Sequence, residues 1–253
     1  MSLPFCSSRR LHLVALALAI VLSYADSLAR AQEQAADDAT GWTELFNGKN
    51  LDGWIQRGGK AGYAVVDGVI VGTSKAGTSN SFLCTDRDYG DFILEYEMKA
   101  DIELNSGVQI RSHEFAEPTE VDLGDGKSMK IRAGLVHGYQ VEFDVNQAER
   151  VWTAGIYDES RRGWLYPGPL GGEADAFAEQ GRKLIKRDDW NKIRVEARGP
   201  SIKTWLNGEL RADLKDSVSL DGFIALQVHS VGEVEKPMHV SWKNLRIKVL
   251  EKN

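Results

Sequence analysis

Three polar side chains, Gln140, Glu142 and Asp144, alternate with the apolar side chains of segment 138–144. This period of two predicts a half-buried strand in which the amide and both carboxylates lie on one face. Amides bind hydroxyl groups, and carboxylates also accept and donate protons, so this face is a candidate binding or catalytic site. Strands of antiparallel sheets also present charged side chains to water, and the segment alone leaves that interpretation open.

Three further segments repeat the alternation and favour the first interpretation. Segments 105–111, 151–157 and 223–229 each place apolar side chains on one face and polar side chains on the other. The polar faces carry Gln109, Arg111, Thr153, Tyr157, Gln227 and His229. If the four strands are neighbours in one sheet, they form a single surface of amides, carboxylates and cations. Such a surface, with Trp164 and Tyr166 nearby to stack on pyranose rings, is typical of a sugar site.

The strands that would carry this surface are short and numerous. Turn signals such as Asp67-Gly68, Gly199-Pro200 and Asn207-Gly208 separate them. This pattern predicts an all-β fold, a two-sheet antiparallel jelly-roll sandwich of the concanavalin A-like or glucanase type. One or two short helices are expected in the loops, with one around 173–184.

The sequence also predicts where two other segments lie relative to the site and the sheets. Segment 117–134, rich in proline, glycine and acidic residues, predicts a long loop or a small extra hairpin of the kind that rims a site. Segment 240–249 predicts the final strand, and its lysines favour an edge of the sheet.

The N-terminus matches a secretory signal. Arg9 and Arg10 precede an apolar run at 13–22, and Ala29-Arg30-Ala31 matches a cleavage site. We therefore predict a signal peptide at 1–31 cleaved after Ala31, a flexible leader at 32–41 and a single jelly-roll domain at 42–253. Two small β-domains divided within 158–189 are the alternative. The apolar run is short for a bilayer of about 30 Å, so the expected mature chain has no membrane span and is periplasmic or extracellular.

Charge and cysteine content narrow the classes of partner. Loss of residues 1–31 removes three arginines and one aspartate, which takes the formal net charge from −6 to −8. An acidic exported protein is a poor candidate for binding nucleic acid or anionic membranes. Cys84 is the only cysteine of the predicted mature chain, which excludes an intramolecular disulfide and favours a core position for its side chain.

Several short segments occur together in a characteristic order and spacing. They are 45–54 (Leu-Phe-Asn-Gly-Lys-Asn-Leu-Asp-Gly-Trp), 105–108, 138–142, 155–159, 190–191, 206–208 and 222–229. Over about 43–250 the chain resembles the 3-keto-disaccharide hydrolase domain family, which is common in exported proteins of Planctomycetes and Bacteroidetes. The resemblance implies a concanavalin-like jelly roll and action on 3-keto-glycosides. It also implies an upstream oxidoreductase partner that oxidises the 3-hydroxyl group of the sugar.

The chemistry of such a substrate assigns roles to the polar surface. A ketone at C3 acidifies the C2 proton, so a base can remove it and the enolate can expel the C1 leaving group. Glu142 or His229 is the candidate base, and Tyr157 or His229 the candidate acid for the departing oxygen. Arg111 with Gln109 would stabilise the enolate oxygen. Water can then add to the double bond, so hydrolase and lyase activity both remain open.

The expected substrate-binding residues are drawn from the same strands and the following loop. They are Asn105, Ser106, Gln109, Gln140, Asp144, Arg161, Trp164 and Gln227. The pattern requires no cofactor. A divalent metal held by Glu142, Asp144 and His229 is an alternative, since carboxylates and imidazole are good ligands.

Two other classes of protein stay open. One is a non-catalytic carbohydrate-binding module with the same fold. The other is a conventional retaining glycoside hydrolase, because Glu142-Phe143-Asp144 resembles the start of an E-x-D-x-E or E-x-D-x-x-E motif. Asn146 and Gln147 stand where the second catalytic carboxylate would be expected, so the strand lacks the close pair that retention requires.

Overall fold

The computed structural model describes residues 41–145, 150–233 and 236–251. The chain divides into two compact units, Met1–Thr43 and Glu44–Asn253, and the second contains the sandwich described below. The predicted signal peptide and nearly all of the predicted leader lie outside the described residues, so both stay predictions. Within the described ranges no helix is both long enough and apolar enough to cross a membrane.

The described residues form short strands and one helix, as the sequence predicts. The strands are β1 (Thr43–Glu44), β2 (Trp54–Gly58), β3 (Gly62–Val66), β4 (Val69–Thr73), β5 (Ser81–Thr85), β6 (Phe92–Ala100), β7 (Ser106–His113), β8 (Thr119–Gly124), β9 (Lys127–Ile131), β10 (His137–Phe143), β11 (Ile156–Glu159), β12 (Gly163–Tyr166), β13 (Asn191–Arg198), β14 (Ser201–Leu206), β15 (Glu209–Lys215), β16 (Phe223–Val228) and β17 (His239–Val249). The helix, α1, spans Ala174–Leu184.

Two antiparallel sheets form the sandwich. One is an eight-stranded sheet, which runs in the order β15-β14-β13-β6-β17-β4-β3 and also includes β1. The other is a seven-stranded sheet, which runs in the order β12-β11-β10-β7-β16-β5-β2. The four strands with polar faces, β11, β10, β7 and β16, are consecutive neighbours in the second sheet. The adjacency on which the predicted site depends is therefore confirmed. Strands β8 and β9 form a separate hairpin within the predicted excursion.

The core lies between the two sheets. Val108 and Val141 of the seven-stranded sheet and Leu94, Ile193 and Trp242 of the other sheet are fully buried in one cluster. Because side chains alternate along each strand, the opposite face of the seven-stranded sheet is left for the polar residues. This outer face carries the candidate site.

The predicted turn residues shape the hairpins. Asp67 and Gly68 join β3 to β4 with φ of 49° and 75°, and Asn207 and Gly208 join β14 to β15 with φ of 51° and 96°. Positive φ at both central residues defines the type I′ turn, which matches the right-handed twist of the flanking strands. These sequence-predicted hairpins are confirmed.

The prediction that the last strand lies at an edge is wrong. β17 lies between β6 and β4, in the interior of its sheet. Its basic side chains pair with glutamates of β6: Arg246 contacts Glu95 at 2.9 Å, and Lys243 contacts Glu97 at 3.5 Å. The alternating cations thus reflect cross-strand pairing on a solvated face, which the sequence pattern does not distinguish from protection of an edge.

The predicted strand at 151–157 begins only at Ile156. Ala154 adopts a φ of 61°, which no regular strand allows. The amide of Gly155 bonds to the carbonyl of Trp152 at 2.8 Å and closes a turn. The Ala154 amide and the Gly155 carbonyl still bond to the backbone of Glu142 in β10, at 2.8 and 3.0 Å. The predicted strand therefore contacts β10 irregularly at 154–155 and is regular only at its end, with Tyr157.

A β-bulge at Arg111 changes the direction of side chains along β7. Tyr139 pairs with Ile110 but His137 pairs with His113, so β7 carries one extra residue, and Arg111 has a φ of 46°. Regular alternation predicts Arg111 on the same face as Gln109, and this prediction is wrong because a bulge interrupts the alternation.

Arg111 instead ties the two sheets together. Its side chain is fully buried, and Nε and Nη1 donate to the carbonyl oxygens of Gly90 at 2.9 Å and Gly199 at 2.6 Å. Nη2 lies 3.0 Å from Oδ1 of Asp91. Gly90 and Asp91 precede β6, and Gly199 lies in the turn between β13 and β14, so all three partners belong to the opposite sheet.

We expect Arg111→Met to lower the free energy of unfolding by about 3–5 kcal/mol, because it leaves a partly buried carboxylate and two carbonyl oxygens without their donor. Urea denaturation measures this change. The control is Arg198→Met, an exposed position of β13, with an expected effect within about 0.5 kcal/mol. A loss of less than about 1 kcal/mol for Arg111→Met would contradict the bridging role.

Candidate functional site

A cavity of about 380 Å³ opens on the outer face of the seven-stranded sheet. We call it the first cavity; it is lined by Asn80, Asn105, Gln140, Glu142, Arg150, Tyr157, Glu159, Trp164 and His229. Six of these residues were singled out by the sequence, whereas Asn80, Arg150 and Glu159 were not. The volume is within the range of small-molecule sites.

Glu142 is the most tightly held side chain of the cavity. Asn105 Nδ2 donates to its Oε1, and Gln140 Nε2 donates to its Oε2 at 2.9 Å. Gln109 in turn donates to Gln140 Oε1 at 2.7 Å, and the Ser112 hydroxyl donates to Gln109 Oε1 at 2.9 Å. The donors of this chain all point towards the carboxylate, which fixes its position.

Burial sets the proton affinity of Glu142. Desolvation is the largest effect and raises the pKa of its carboxyl group from 4.5 to about 7; the negative charge of Asp144 adds to the rise. The hydrogen bonds from Asn105 and Gln140 and the charge of Arg150 oppose it. A carboxyl group with this pKa exchanges its proton readily near neutral pH.

Arg150 supplies a cation at the cavity wall. Its guanidinium lies 4.8 Å from the ring centre of Trp152 and 5.2 Å from that of Trp164. Nη2 lies 3.4 Å from Oδ2 of the buried Asp144. Two aromatic rings and a carboxylate therefore hold this guanidinium beside the cavity, where a cation was expected from Arg111.

Aromatic side chains form another part of the wall. Tyr157 and Trp164 face each other across β11 and β12 with ring centres 5.4 Å apart. Burial raises the pKa of Tyr157, and the charges of Glu159 and Glu142 raise it further, so its hydroxyl stays protonated and can donate a hydrogen bond. Trp164 is half-buried, which leaves part of its ring for a ligand.

Another part of the first cavity's lining is formed by Glu159, Asn80 and His229. Burial raises the pKa of Glu159, while hydrogen bonds from Ser160 and Asn80 and the charge of His229 oppose the rise. His229 Nδ1 lies 2.8 Å from the carbonyl oxygen of Ser230. Because a carbonyl only accepts, Nδ1 carries a proton, and a neutral imidazole then has its lone pair on Nε2.

Three predicted site residues lie behind the cavity lining. Gln109 acts through Gln140, and Asp144 contacts Arg150. Gln227 is fully buried, and neither polar atom of its side chain has a hydrogen-bond partner within the described part of the chain.

Three others, Arg111, Ser106 and Arg161, lie away from the cavity. Ser106 shares the core-facing side of β7 with Val108 and donates to the carbonyl oxygen of Gln227 at 2.6 Å. Arg161 bonds to Asp158 Oδ1 at 2.7 Å and to Ser219 Oγ at 2.8 Å. Its side chain is fully buried. The expected exposed arginine of a ligand-binding loop is thus a buried structural ion pair.

The three lining residues that were not predicted differ in whether a local sequence pattern could have revealed them. Glu159 continues the alternation that contains Tyr157, so extending the strand by two residues would have found it. Asn80 precedes β5, which pairs with β16 from far along the chain, so no local pattern connects it to the site. Arg150 lies in an irregular segment, and only the fold brings it against Trp164.

No group of three or more His, Cys, Asp or Glu side chains in the described ranges is arranged to hold a metal ion. Glu142 and His229 line the first cavity, while Asp144 lies behind Arg150. The predicted metal set of these three residues is therefore not assembled as one cluster here. A requirement for metal stays a prediction that only metal analysis of the protein can test.

The two sheets form a concanavalin-like sandwich, and the outer face of one sheet carries the buried carboxylate and the aromatic wall. The model of the 3-keto-alpha-glucoside-1,2-lyase-like domain family matches residues 41–248. The chain belongs to this family. The predicted family resemblance is thus confirmed.

Solved structures support the fold. A protein of Parabacteroides distasonis ATCC 8503, named provisionally as a glycosyl hydrolase, is 22% identical, with a TM-score of 0.55, and the match covers 85% of this chain and 97% of that one. A Bacillus subtilis protein of unknown function with a galectin-like fold is 10% identical, with a TM-score of 0.53 and coverage of 84% and 100%.

A Crh5 transglycosylase in complex with NAG is also 10% identical, with a TM-score of 0.50 and coverage of 83% and 85%. At these identities the likeness concerns the fold alone. A search among curated proteins found no match.

The raised pKa of Glu142 predicts a pH dependence of stability. Between about 4.5, the ordinary value, and about 7 the folded protein binds more protons than the unfolded chain. The stabilising effect of the neutral carboxyl group is therefore complete below about pH 4.5 and is lost as the pH rises to about 7. We expect the wild type to lose about 3 kcal/mol more than Glu142→Gln over this window.

Urea denaturation at several pH values measures this difference. Glu209→Gln, at an exposed position of β15, is the control and should keep the pH dependence of the wild type. Parallel pH profiles for the wild type and Glu142→Gln would contradict the prediction.

Proposed function

We propose that this protein cleaves 3-keto-glycosides by removing the C2 proton and eliminating the C1 substituent. The observation that carries the proposal is Glu142, a buried carboxyl group that two amides hold in a sugar-sized cavity and whose pKa is about 7. A base of this strength suits a C–H bond acidified by a neighbouring ketone. The family assignment supports the same substrate class.

The other residues of the cavity take roles around this step. Arg150 faces the developing enolate oxygen at C3, where a fixed positive charge stabilises the transition state. Trp164 offers a ring on which the apolar face of a pyranose can stack. Tyr157 donates a hydrogen bond to the substrate. His229, the other predicted base, lines the same cavity near Glu159.

The chemical step is an elimination that water can follow. Glu142 takes the proton from C2, the C1–O bond breaks with its electron pair leaving on oxygen, and a double bond forms between C1 and C2. The product is an enone conjugated with the C3 ketone, and the departing oxygen takes up a proton. Addition of water at C1 and return of the proton to C2 converts this lyase reaction into net hydrolysis.

A conventional glycoside hydrolase is the second candidate, and one observation favours it. The second carboxylate that the strand lacks in sequence is present in the cavity, because Glu159 of β11 lines the same cavity as Glu142. Ordinary glycosidases also use two carboxyl groups, of which the general acid has a raised pKa. The two candidates differ in the substrate they require.

Two further elements of the proposal concern the cellular context. We propose that the protein is exported, on the signal-type pattern at 1–31, and that a sugar 3-oxidoreductase supplies its substrate. Detection of the mature N-terminus at Gln32 in the periplasm or medium tests the first element.

The test of activity compares a disaccharide with its 3-keto form. We expect release of the leaving group from the 3-keto form alone, and deuterium at C2 should give a primary isotope effect on kcat. Glu142→Gln should lower kcat by about 10²–10⁴-fold, more than His229→Asn does. Release from the native disaccharide would favour the conventional hydrolase, and a chemistry-limited reaction without an isotope effect would exclude proton abstraction at C2.

The variant Arg150→Met tests whether the cation that lines the cavity contributes to activity. Loss of one preorganised charge at the enolate oxygen should lower kcat by about 10²–10³-fold. Because the variant also loses the ion pair with the buried Asp144, circular dichroism first establishes that it is folded. Arg194→Met, on the outer face of the other sheet, is the matched control and should retain full activity. Equal activity of the two variants would remove Arg150 from the mechanism.

A further inference from the structure

A second cavity, of about 480 Å³, adjoins the first. It is lined by Gly58, Ser79, Asn80, Phe82, Gly134, Leu135, Val136, Glu159, Ser160 and Ser230. Asn80 and Glu159 line both cavities, so the two cavities adjoin at these side chains. Neither the family assignment nor the proposed function accounts for this second space.

The two cavities differ in chemistry. Among the described residues that line the first cavity, only Trp164 and Tyr157 offer large apolar surfaces, and the others have amide or ionisable side chains. The second cavity places Phe82, Leu135 and Val136 together with serine hydroxyl groups. An oxidised sugar ring with many hydroxyl groups fits the first lining. A group with one apolar face and a few polar atoms fits the second.

The wall of the second cavity comes from two distant parts of the chain. Phe82 belongs to β5 of the sheet, whereas Leu135 and Val136 follow the β8–β9 hairpin. Phe82 and Val136 pack in one small apolar cluster that is separate from the main core. Leu135 is half-buried at the rim and remains available to a ligand.

Glu159 occupies the boundary between the cavities. It is held by Ser160, whose hydroxyl donates to Oε1 at 3.3 Å, and by Asn80, whose Oδ1 also accepts from the amide of Ser230 at 2.8 Å. Burial raises the pKa of Glu159, so its carboxyl group keeps a proton to a higher pH than an exposed glutamate does. A group bound across both cavities would pass this carboxyl group.

We propose that the second cavity binds the leaving group of the substrate, a group with an apolar face, and that Glu159 protonates the departing oxygen. The assignment rests on the proposed function, because it takes the first cavity as the site of the keto-sugar. It replaces Tyr157 and His229 as the acid, since neither lines the second cavity.

The proton balance of the step is complete. As Glu142 takes the C2 proton and the C1–O bond breaks, Glu159 gives its proton to the oxygen and becomes a carboxylate. In the lyase reaction both groups are reset by exchange with solvent. In the hydrolase reaction Glu159 takes a proton from the water that adds at C1, and Glu142 returns its proton to C2.

The leaving group itself tests the role of Glu159. Methanol leaves poorly without protonation, whereas 4-nitrophenolate leaves unaided. We expect Glu159→Gln to lower kcat about 10²–10⁴-fold for methyl 3-keto-glucoside and less than about tenfold for 4-nitrophenyl 3-keto-glucoside. Equal losses for both substrates would overturn the assignment, because a purely structural defect does not depend on the leaving group. If circular dichroism shows that Glu159→Gln is unfolded, Glu159→Asp takes its place under the same criterion.

Leu135→Ala tests the cavity. We expect the KM for the 4-nitrophenyl substrate to rise about tenfold and the KM for the methyl substrate to stay unchanged. Glu120→Gln in β8, outside both cavities, is the control and should behave as the wild type with both substrates. A KM that is unchanged, or that rises equally for both substrates, would overturn the placement of the leaving group.

Equilibrium binding separates this proposal from the proposed function. If the wild type cleaves no 3-keto-glucoside, the proposed function fails, and calorimetry with unoxidised 4-nitrophenyl and methyl glucosides still tests the cavity. Tighter binding of the 4-nitrophenyl compound, lost in Leu135→Ala, would support the second cavity as the binding site of that group. Equal binding of both compounds would overturn it.

Discussion

The bulge at Arg111 is the constraint on which the site depends. One extra residue in β7 places Gln109 and Ser112, three positions apart, on the same outer face, where a regular strand would separate them. The hydrogen-bond chain that ends on Glu142 requires this shared face. The same extra residue turns Arg111 inwards to bind Gly90, Asp91 and Gly199 of the opposite sheet. One local irregularity therefore both closes the sandwich and builds the support of the carboxylate.

Burial of a carboxyl group is energetically unfavourable. In this structure directed hydrogen-bond donors, instead of a single counter-charge, offset that cost. Amide groups of Asn105 and Gln140 satisfy Glu142, while Arg150 is kept at the wall by two indole rings and Asp144. Amides hold the carboxylate without neutralising it, so desolvation still raises its pKa to about 7. A direct ion pair would lower that pKa and leave a weaker base. In the proposed mechanism this arrangement separates the group that moves a proton, Glu142, from the group that stabilises charge, Arg150.

The outer face of the seven-stranded sheet is one continuous surface with two environments. Polar side chains of β10 and β11 and the wall of Arg150 and Trp164 surround the first cavity. The residues after the β8–β9 hairpin bring apolar side chains over β5 and form the second. Glu159 and Asn80 line both cavities. In the proposed mechanism, the reaction at this boundary therefore depends on how the substrate lies across the two cavities. The hairpin, which forms no ladder with either sheet, leads into residues that shape the second cavity.

The sequence by itself determined the features that depend on neighbouring residues. The alternation of Gln140, Glu142 and Tyr157 with apolar side chains predicts which face each occupies, and Asp67-Gly68 and Asn207-Gly208 predict their hairpins. The family resemblance follows from short segments of the same local kind. The placement of Gln140, Glu142 and Tyr157 in one cavity, together with Asn105, Trp164 and His229, agrees with these patterns.

Only the tertiary structure decided the features that depend on pairing between distant strands. Alternation is a property of a regular strand, so it misplaces Arg111 where a bulge adds a residue, and it assigns β17 to an edge although Glu95 and Glu97 of β6 lie beside it. Arg150 and Asn80 reach the cavity from separate parts of the chain, and no local spacing relates them to it. The pKa of Glu142 likewise follows from burial, because the cost of desolvation depends on everything that the fold packs around the group.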